Sequence, residues 1–178
     1  MELLKLSLAI GIMFLTILML ITATISLFLK VPYVPTKKRV MKKMIEVARL
    51  KNNDVVYDLG CGDGRLLFEA EKTKKVHGKG YELAPIPYLL AKMGGFFHNS
   101  KTKIHMSNFF GANLKDANIV FCYLGTETMG ELYKKIKREC KKGTRIISNT
   151  FSVQGIKPSK IWPQNKKLRL PSIYMYEI

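Results

Sequence analysis

The stretch Tyr57-Asp58-Leu59-Gly60-Cys61-Gly62-Asp63-Gly64-Arg65 decides the fold. It follows the β-branched run Asp54-Val55-Val56 and precedes the helical pattern Arg65-Leu66-Leu67-Phe68-Glu69-Ala70, so it reads as a strand-to-helix turn. Glycines in such a turn let the backbone take dihedrals closed to other residues and come close to a ligand. The helix start that follows offers unpaired N–H groups. The GxGxxG fingerprint of dinucleotide binding is not met, because Gly64 comes one place early and Arg65 stands where the third glycine would be.

Strand and helix patterns alternate outward from this turn. Strands are expected over residues 54–59, 76–83, 103–106, 119–124 and 144–151, with two further extended segments near 156–162 and 172–178. Helices are expected from Arg65 through Ala70, from Pro85 toward Phe97 with Gly94-Gly95 weakening its end, and over residues 129–140. This order is that of an α/β domain, an open and mostly parallel sheet with helices on both faces.

Upstream, residues 6–29 carry no charge. At about 1.5 Å per residue a helix of this length crosses a hydrocarbon core of roughly 30 Å. A cleaved signal peptide is the competing reading. The apolar run is too long for a signal core, no A-x-A site follows, and Lys30 with Pro32 closes the segment as a helix end would. Lys30, Lys37, Lys38, Arg39, Lys42, Lys43, Arg49 and Lys51 follow the span against Glu46 alone, which places the domain on the cytoplasmic side of a single-pass anchor. Thr36 is positioned to cap an amphipathic helix running to about Leu50, with Val40, Met44 and Val47 or Ala48 on one stripe. The chain is thus read as an anchor over residues 1–30, a linker with amphipathic helix over 31–51 and a catalytic domain over 52–178.

The 178 residues carry 30 Lys and Arg against 13 Asp and Glu, a net charge of +17 that suits nucleic acid, anionic lipid or an acidic partner. Three cysteines, Cys61, Cys122 and Cys140, lie far apart without any CxxC or His-rich spacing, so neither a disulfide framework nor a metal site is expected. They read as reduced thiols, which fits a cytoplasmic domain. His77, His98 and His105 form no constellation and are expected at the surface or in packing.

With Asp58 the turn becomes D-x-G-x-G-x-G, and the chain here resembles the class I, seven-strand S-adenosylmethionine-dependent methyltransferases. The resemblance implies that Gly60, Cys61, Gly62 and Gly64 pack against the methionine and ribose portions of S-adenosyl-L-methionine and that Asp58 helps hold its amino group. Glu82, ending the second strand, offers a carboxylate that can accept both hydrogen bonds of a ribose diol. At Met106-Ser107-Asn108-Phe109 the family often has an acid followed by an apolar residue. Here Asn108 could accept from the adenine amine and Phe109 pack on the ring, or Asn108 could simply form a turn.

Val31-Pro32-Tyr33-Val34-Pro35-Thr36, between the anchor and the glycine turn, together with Glu82-Leu83-Ala84-Pro85, narrows the resemblance. The pattern over residues 31–151 is similar to membrane-anchored protein lysine methyltransferases, whose eukaryotic members modify the ATP synthase c-subunit and the adenine nucleotide translocase. Ala84 departs from that pattern where Asn is usual, as does Asn108 where Asp is usual. The resemblance implies that the segment from Tyr33 to Thr36 closes over the cofactor, with Tyr33 and Thr36 binding it; a stiff proline-rich spacer is the alternative. The implied partner is a protein lysine, including one embedded in a membrane.

Methyl transfer is an in-line displacement, so the protein mainly aligns a neutral nucleophile and excludes water. Tyr123, Thr126 and Glu127 after the fourth strand, and Asn149 after the fifth, are the expected lining. Tyr123 and Glu127 are the catalytic candidates, Glu127 also fitting a plain helix-start carboxylate. Two other classes stay open. One is an RNA or small-molecule methyltransferase using the basic clusters over residues 134–145 and 157–169, although Cys122-Tyr123-Leu124-Gly125 replaces the Asn-Pro-Pro-Tyr motif of base-amine enzymes. The other is a non-catalytic membrane adaptor that keeps the fold.

Overall fold

The computed structural model describes residues 1–28 and 33–178, the side chains of Ser26 and Phe28 excepted. Lys30 and Pro32, expected to close the anchor, and Val31-Pro32 of the proline segment lie outside the described residues. Helix α1 (Glu2–Phe28) is followed by α2 (Lys38–Ala48), β1 (Val55–Leu59), α3 (Arg65–Thr73), β2 (His77–Glu82), α4 (Pro85–Phe97) and β3 (Lys103–Met106). Next come a 3-10 turn (Phe109–Gly111), β4 (Ile119–Cys122), α5 (Thr126–Glu139), β5 (Arg145–Asn149), β6 (Lys160–Trp162) and β7 (Ile173–Glu177).

The seven strands form one sheet in the order β3-β2-β1-β4-β5-β7-β6. β1 to β5 run parallel, β7 pairs antiparallel with β5, and β6 pairs antiparallel with β7. Every side chain of β4, Ile-Val-Phe-Cys, is buried, as expected of a strand covered on both faces. One face is covered by α2, α3 and α4 through Val40, Met44, Leu67, Ala70 and Ala91; the other carries Leu132 and Ile136 of α5 with Leu114 and Tyr176. The chain winds outward from β1 to β3 and then returns to place β4 on the other side of β1. The crevice at the carboxyl ends of β1 and β4 is therefore the topological switch point, where such sheets bind ligands.

The expected amphipathic helix is present, but it starts one residue later. Lys37 is the N-cap and makes no side-chain capping bond, so Thr36 does not cap α2. Its apolar stripe, Val40, Met41, Met44, Ile45, Val47 and Ala48, is wholly buried, which makes α2 part of the core while Lys38 and Lys42 stay in solvent. Arg145 of β5 fixes its far end: the guanidinium Nη1 donates to the carbonyl of Ala48 at 2.5 Å and to that of Arg49 at 3.3 Å. Arg145 also pairs with the buried Asp54 at 3.6 Å. The last carbonyls of α2 are thus satisfied by a cation where the helix dipole favours one.

Met44, 1% exposed, reports this packing. Met44→Ala is expected to lower unfolding free energy by about 2–5 kcal/mol in urea melts, whereas Lys42→Ala changes it by less than about 0.5 kcal/mol.

Candidate active site

At the end of β1 the chain turns through Gly60, Gly62 and Gly64, all with positive φ (80°, 57° and 76°), a region that costs other residues about 1–2 kcal/mol. The turn is pinned to β2: the N–H groups of Gly60 and Cys61 both donate to the Tyr81 carbonyl, at 2.9 and 3.0 Å. A Cβ on Gly62 would come within 2.7 Å of the Tyr33 ring, and one on Gly64 within 2.7 Å of Phe68. Gly60 meets only Leu124, at 3.4 Å, and faces the cavity that the turn bounds.

That cavity is about 410 Å³, a size that suits a nucleoside-bearing ligand. Its lining includes Tyr33, Thr36, Asp58, Gly60, Cys61, Gly62, Glu82, Asn108, Phe109 and Tyr123. The structure thereby brings together every expected cofactor residue except Gly64, which sits behind the turn as the N-cap of α3. Glu82 is held by its neighbours, Oε2 accepting from the Gly62 N–H at 2.9 Å and Oε1 from the Ala84 N–H at 2.8 Å. Each carboxylate oxygen keeps a lone pair for a further donor, such as a diol. Asn108 caps the 3-10 turn, its Oδ1 accepting from the Phe110 N–H at 2.9 Å. Asn108 thus forms a turn, while its Oδ1 retains a second lone pair beside Phe109.

Asp58 is 6% exposed, and among the described residues no donor bonds its carboxylate. Burial, reinforced by the Glu82 and Asp63 carboxylates, raises its pKa to about 7. A buried carboxylate without a donor, lining a cavity, fits a ligand carrying a cationic amine. Burial and the Asp58 and Glu82 charges likewise raise the Cys61 thiol, leaving it a protonated wall of the cavity rather than a nucleophile. Across the mouth lies Tyr33, its phenol pushed up to about 12 by burial and the Asp63 carboxylate, while Arg65 clasps Asp63 with Nε at 2.8 Å and Nη2 at 2.5 Å.

Residues missed by the sequence reading complete the walls: Asp63, Arg65, Phe110, Thr128, Glu131 and Phe151, with Ile25 from α1. Glu127 and Thr126 lie outside the lining. Glu127 is exposed in the first turn of α5, and the α5 carboxylate that lines the cavity is Glu131, one turn on. The i, i+4 spacing of the two acids was the available signal. Asn149 lines a second cleft of about 510 Å³ that shares Val34, Pro35, Thr36 and Tyr123 with the first. Thr150, next in that cleft, holds a φ of 69°, a strained conformation for a β-branched residue. Of the histidines, His98 caps α4 against Phe68 and His105 stacks on Tyr81.

A family model described as the ANTKMT methyltransferase domain matches residues 58–160. The chain belongs to the ANTKMT methyltransferase family. It is 34% identical over 151 residues to a protein-lysine N-methyltransferase of Saccharolobus islandicus (strain REY15A), covering 83% of this chain and 94% of that protein. It is 27% identical over 136 residues to the adenine nucleotide translocase lysine N-methyltransferase of Mus musculus, 75% of this chain and 59% of that one. Among solved structures, the RNA methyltransferase from Salinibacter ruber in complex with S-adenosyl-L-homocysteine superposes with a TM-score of 0.77 at 26% identity, over 82% of this chain and 94% of that one.

This ANTKMT-family chain is therefore a class I S-adenosylmethionine-dependent methyltransferase, and its residues fit that cofactor. Asp58 would take the amino group, the Gly60–Gly62 backbone the methionine and ribose, Glu82 the diol, and Asn108 with Phe109 the adenine.

Asp58 sets a pH dependence of known sign. Ligand-free Asp58 must lose its proton to hold an ammonium, so affinity for S-adenosylmethionine is expected to fall about tenfold per pH unit below pH 7 and to level off above it. The unfolded carboxyl ionises near pH 4 and the folded one near 7, so ionisation disfavours the fold progressively across that window. Asp58→Asn is expected to raise the melting temperature of ligand-free protein at pH 8 while weakening cofactor binding by about 1.5–3 kcal/mol. Calorimetry and thermal melts read the two effects separately.

Proposed function

We propose that this enzyme transfers a methyl group to protein lysine side chains presented at a membrane surface. The observation that carries the reading is the similarity to the archaeal protein-lysine N-methyltransferase over 94% of its length. Bound S-adenosylmethionine supplies an electrophilic methyl group. The chain's task is to deliver an uncharged amine to it.

A lysine ammonium has a pKa of about 10.4, which the site must lower. The second cleft does this in two ways. Its junction with the cofactor cavity is walled by Val34, Pro35 and the ring of Tyr123, which stacks on Phe151 with centroids 6.1 Å apart, so an ammonium entering there loses water. Lys37, Lys166 and Arg169 line the same cleft and disfavour a second positive charge. Tyr123 and the buried Asn149 offer oxygens that can accept from the amine and aim its lone pair. Glu131, a carboxylate of the cavity that Tyr123 also lines, would receive the proton by way of water.

The membrane part of the reading rests on α1. Residues 2–25 are apolar and long enough to span a bilayer, and Ile25 near the end of that helix is also a wall of the cofactor cavity. In this reading the domain faces the cytoplasm. Confinement to the membrane plane raises the effective concentration of membrane targets without changing the chemical step.

A second reading has its own support. The Salinibacter ruber relative, covered over 94% of its length, is described as an RNA methyltransferase, and the three cations of the second cleft would equally hold phosphates. Incubating the full-length enzyme with labelled cofactor and fractionated membranes, soluble protein and RNA separates the readings. Label is expected in membrane proteins and, after digestion, on lysine by mass spectrometry. Label confined to RNA or to small metabolites rules out the lysine reading.

A further inference from the structure

Helix α4 leaves an apolar stripe uncovered. Leu89, Leu90, Met93, Phe96 and Phe97 recur at i, i+1, i+4, i+7 and i+8 and all point outward, Phe96 being 82% and Phe97 75% exposed. Lys92 is the sole charge among the exposed residues of this helix. The opposite side, with Pro85, Pro87 and Ala91, is buried against the domain.

The start of α4 is joined to α1. Among the described side chains of α1 the partly buried ones are Leu18, Thr22 and Ile25, one stripe of that helix, and the Ile86 N–H donates to Thr22 Oγ1 at 3.3 Å. A hydrocarbon core of about 30 Å takes up roughly 20 residues of helix. Wherever such a core is placed along the uncharged part of α1, residues 6–28, Thr22 falls inside it. The beginning of α4 is then drawn to the same depth.

A helix start at that depth is tolerated only if its backbone donors are satisfied within the protein. The first turn of α4 meets this condition residue by residue. Pro85 and Pro87 have no N–H, the Ile86 N–H goes to Thr22, and the Tyr88 N–H goes to the Ala84 carbonyl at 3.1 Å. At the other end, the N–H groups of His98, Asn99 and Ser100 close onto the carbonyls of Gly94, Phe96 and Gly95. In water none of this is needed, since solvent would satisfy the same groups.

We propose that α4 is a second membrane element, lying in the interfacial layer of the bilayer with Leu89, Leu90, Met93, Phe96 and Phe97 among the lipid chains and Lys92 reaching back to the head groups. The proposal rests on the reading of α1 as a bilayer span. It gives the domain two points of attachment, which fixes its orientation where a single tether would leave it free to rotate. A long cation beside an apolar stripe behaves in this way at membrane surfaces.

Depth-dependent quenching by brominated lipids tests it in the full-length protein reconstituted into vesicles. Native Trp162 lies on β6, at the opposite edge of the sheet from β3 and α4, and is expected to keep its emission. In a Trp162→Phe background, Phe97→Trp is expected to be blue-shifted and to lose most of its emission to bromines placed high on the acyl chains. Phe14→Trp, in the middle of α1, is expected to be quenched by bromines deep in the chains. Quenching of Phe14→Trp without quenching of Phe97→Trp overturns the α4 proposal and leaves the anchor standing. This holds whether the Phe97→Trp emission is red, from water, or blue, from a covering protein or second copy. Absence of quenching at both positions removes the anchor and the proposal together. Phe14 and Phe97 are both exposed, so the reporters leave the core intact.

Discussion

A largely buried carboxylate without a hydrogen-bond donor is an unfavourable thing to build, and the methyltransferase is organised around one. Asp58 sits near the end of β1, between β2 on one side and β4 on the other, largely buried but lining the cofactor cavity. Two more acids, Glu82 and Asp63, crowd it. A polar group in such a place is stabilised by what it binds, and the ligand-free protein carries the strain until a cation arrives. The three left-handed glycines, the Arg65 clasp on Asp63 and the two backbone donors on Glu82 arrange the neighbouring acids so that Asp58 alone is left unmet.

Charge elsewhere follows a different logic. The excess of lysine and arginine is spread over the surface, and part of it, Lys37, Lys166 and Arg169, surrounds the cleft that opens beside the cofactor cavity. The chain therefore sets carboxylates around the cofactor cavity and cations around the cleft beside it. Under the proposed lysine reading these opposed environments hold one amine charged and render the other neutral, within a single continuous site.

The parallel sheet was legible in the sequence because β-branched runs and amphipathic runs alternate, and α4 and β3 fall where the pattern puts them. Much of the cavity lining was legible too, since Asp58, the glycine turn and Glu82 are local features at strand ends. The error at Thr36 has a simple cause. Threonine is a good N-cap, but its backbone belongs to the extended segment along the cavity, and tertiary contact overrides local preference. Glu131 and the Asp63–Arg65–Tyr33 cluster were hidden because they depend on which face of α5 turns inward and on a segment far from the turn in sequence. The burial of α2 was visible as a stripe. Its lock, Arg145 reaching the carbonyls of Ala48 and Arg49, joins residues that no short-range pattern connects.

That lock also bears on the cover of the cofactor cavity. Residues 33–36 run across the cofactor cavity and lead directly into α2, whose far end Arg145 holds against the sheet and whose inner face is sealed in the core. The other end of the strap leads back toward α1. Ile25 of α1 walls the same cavity, so the strap held by α2 and the apolar helix border the cofactor's place from two sides.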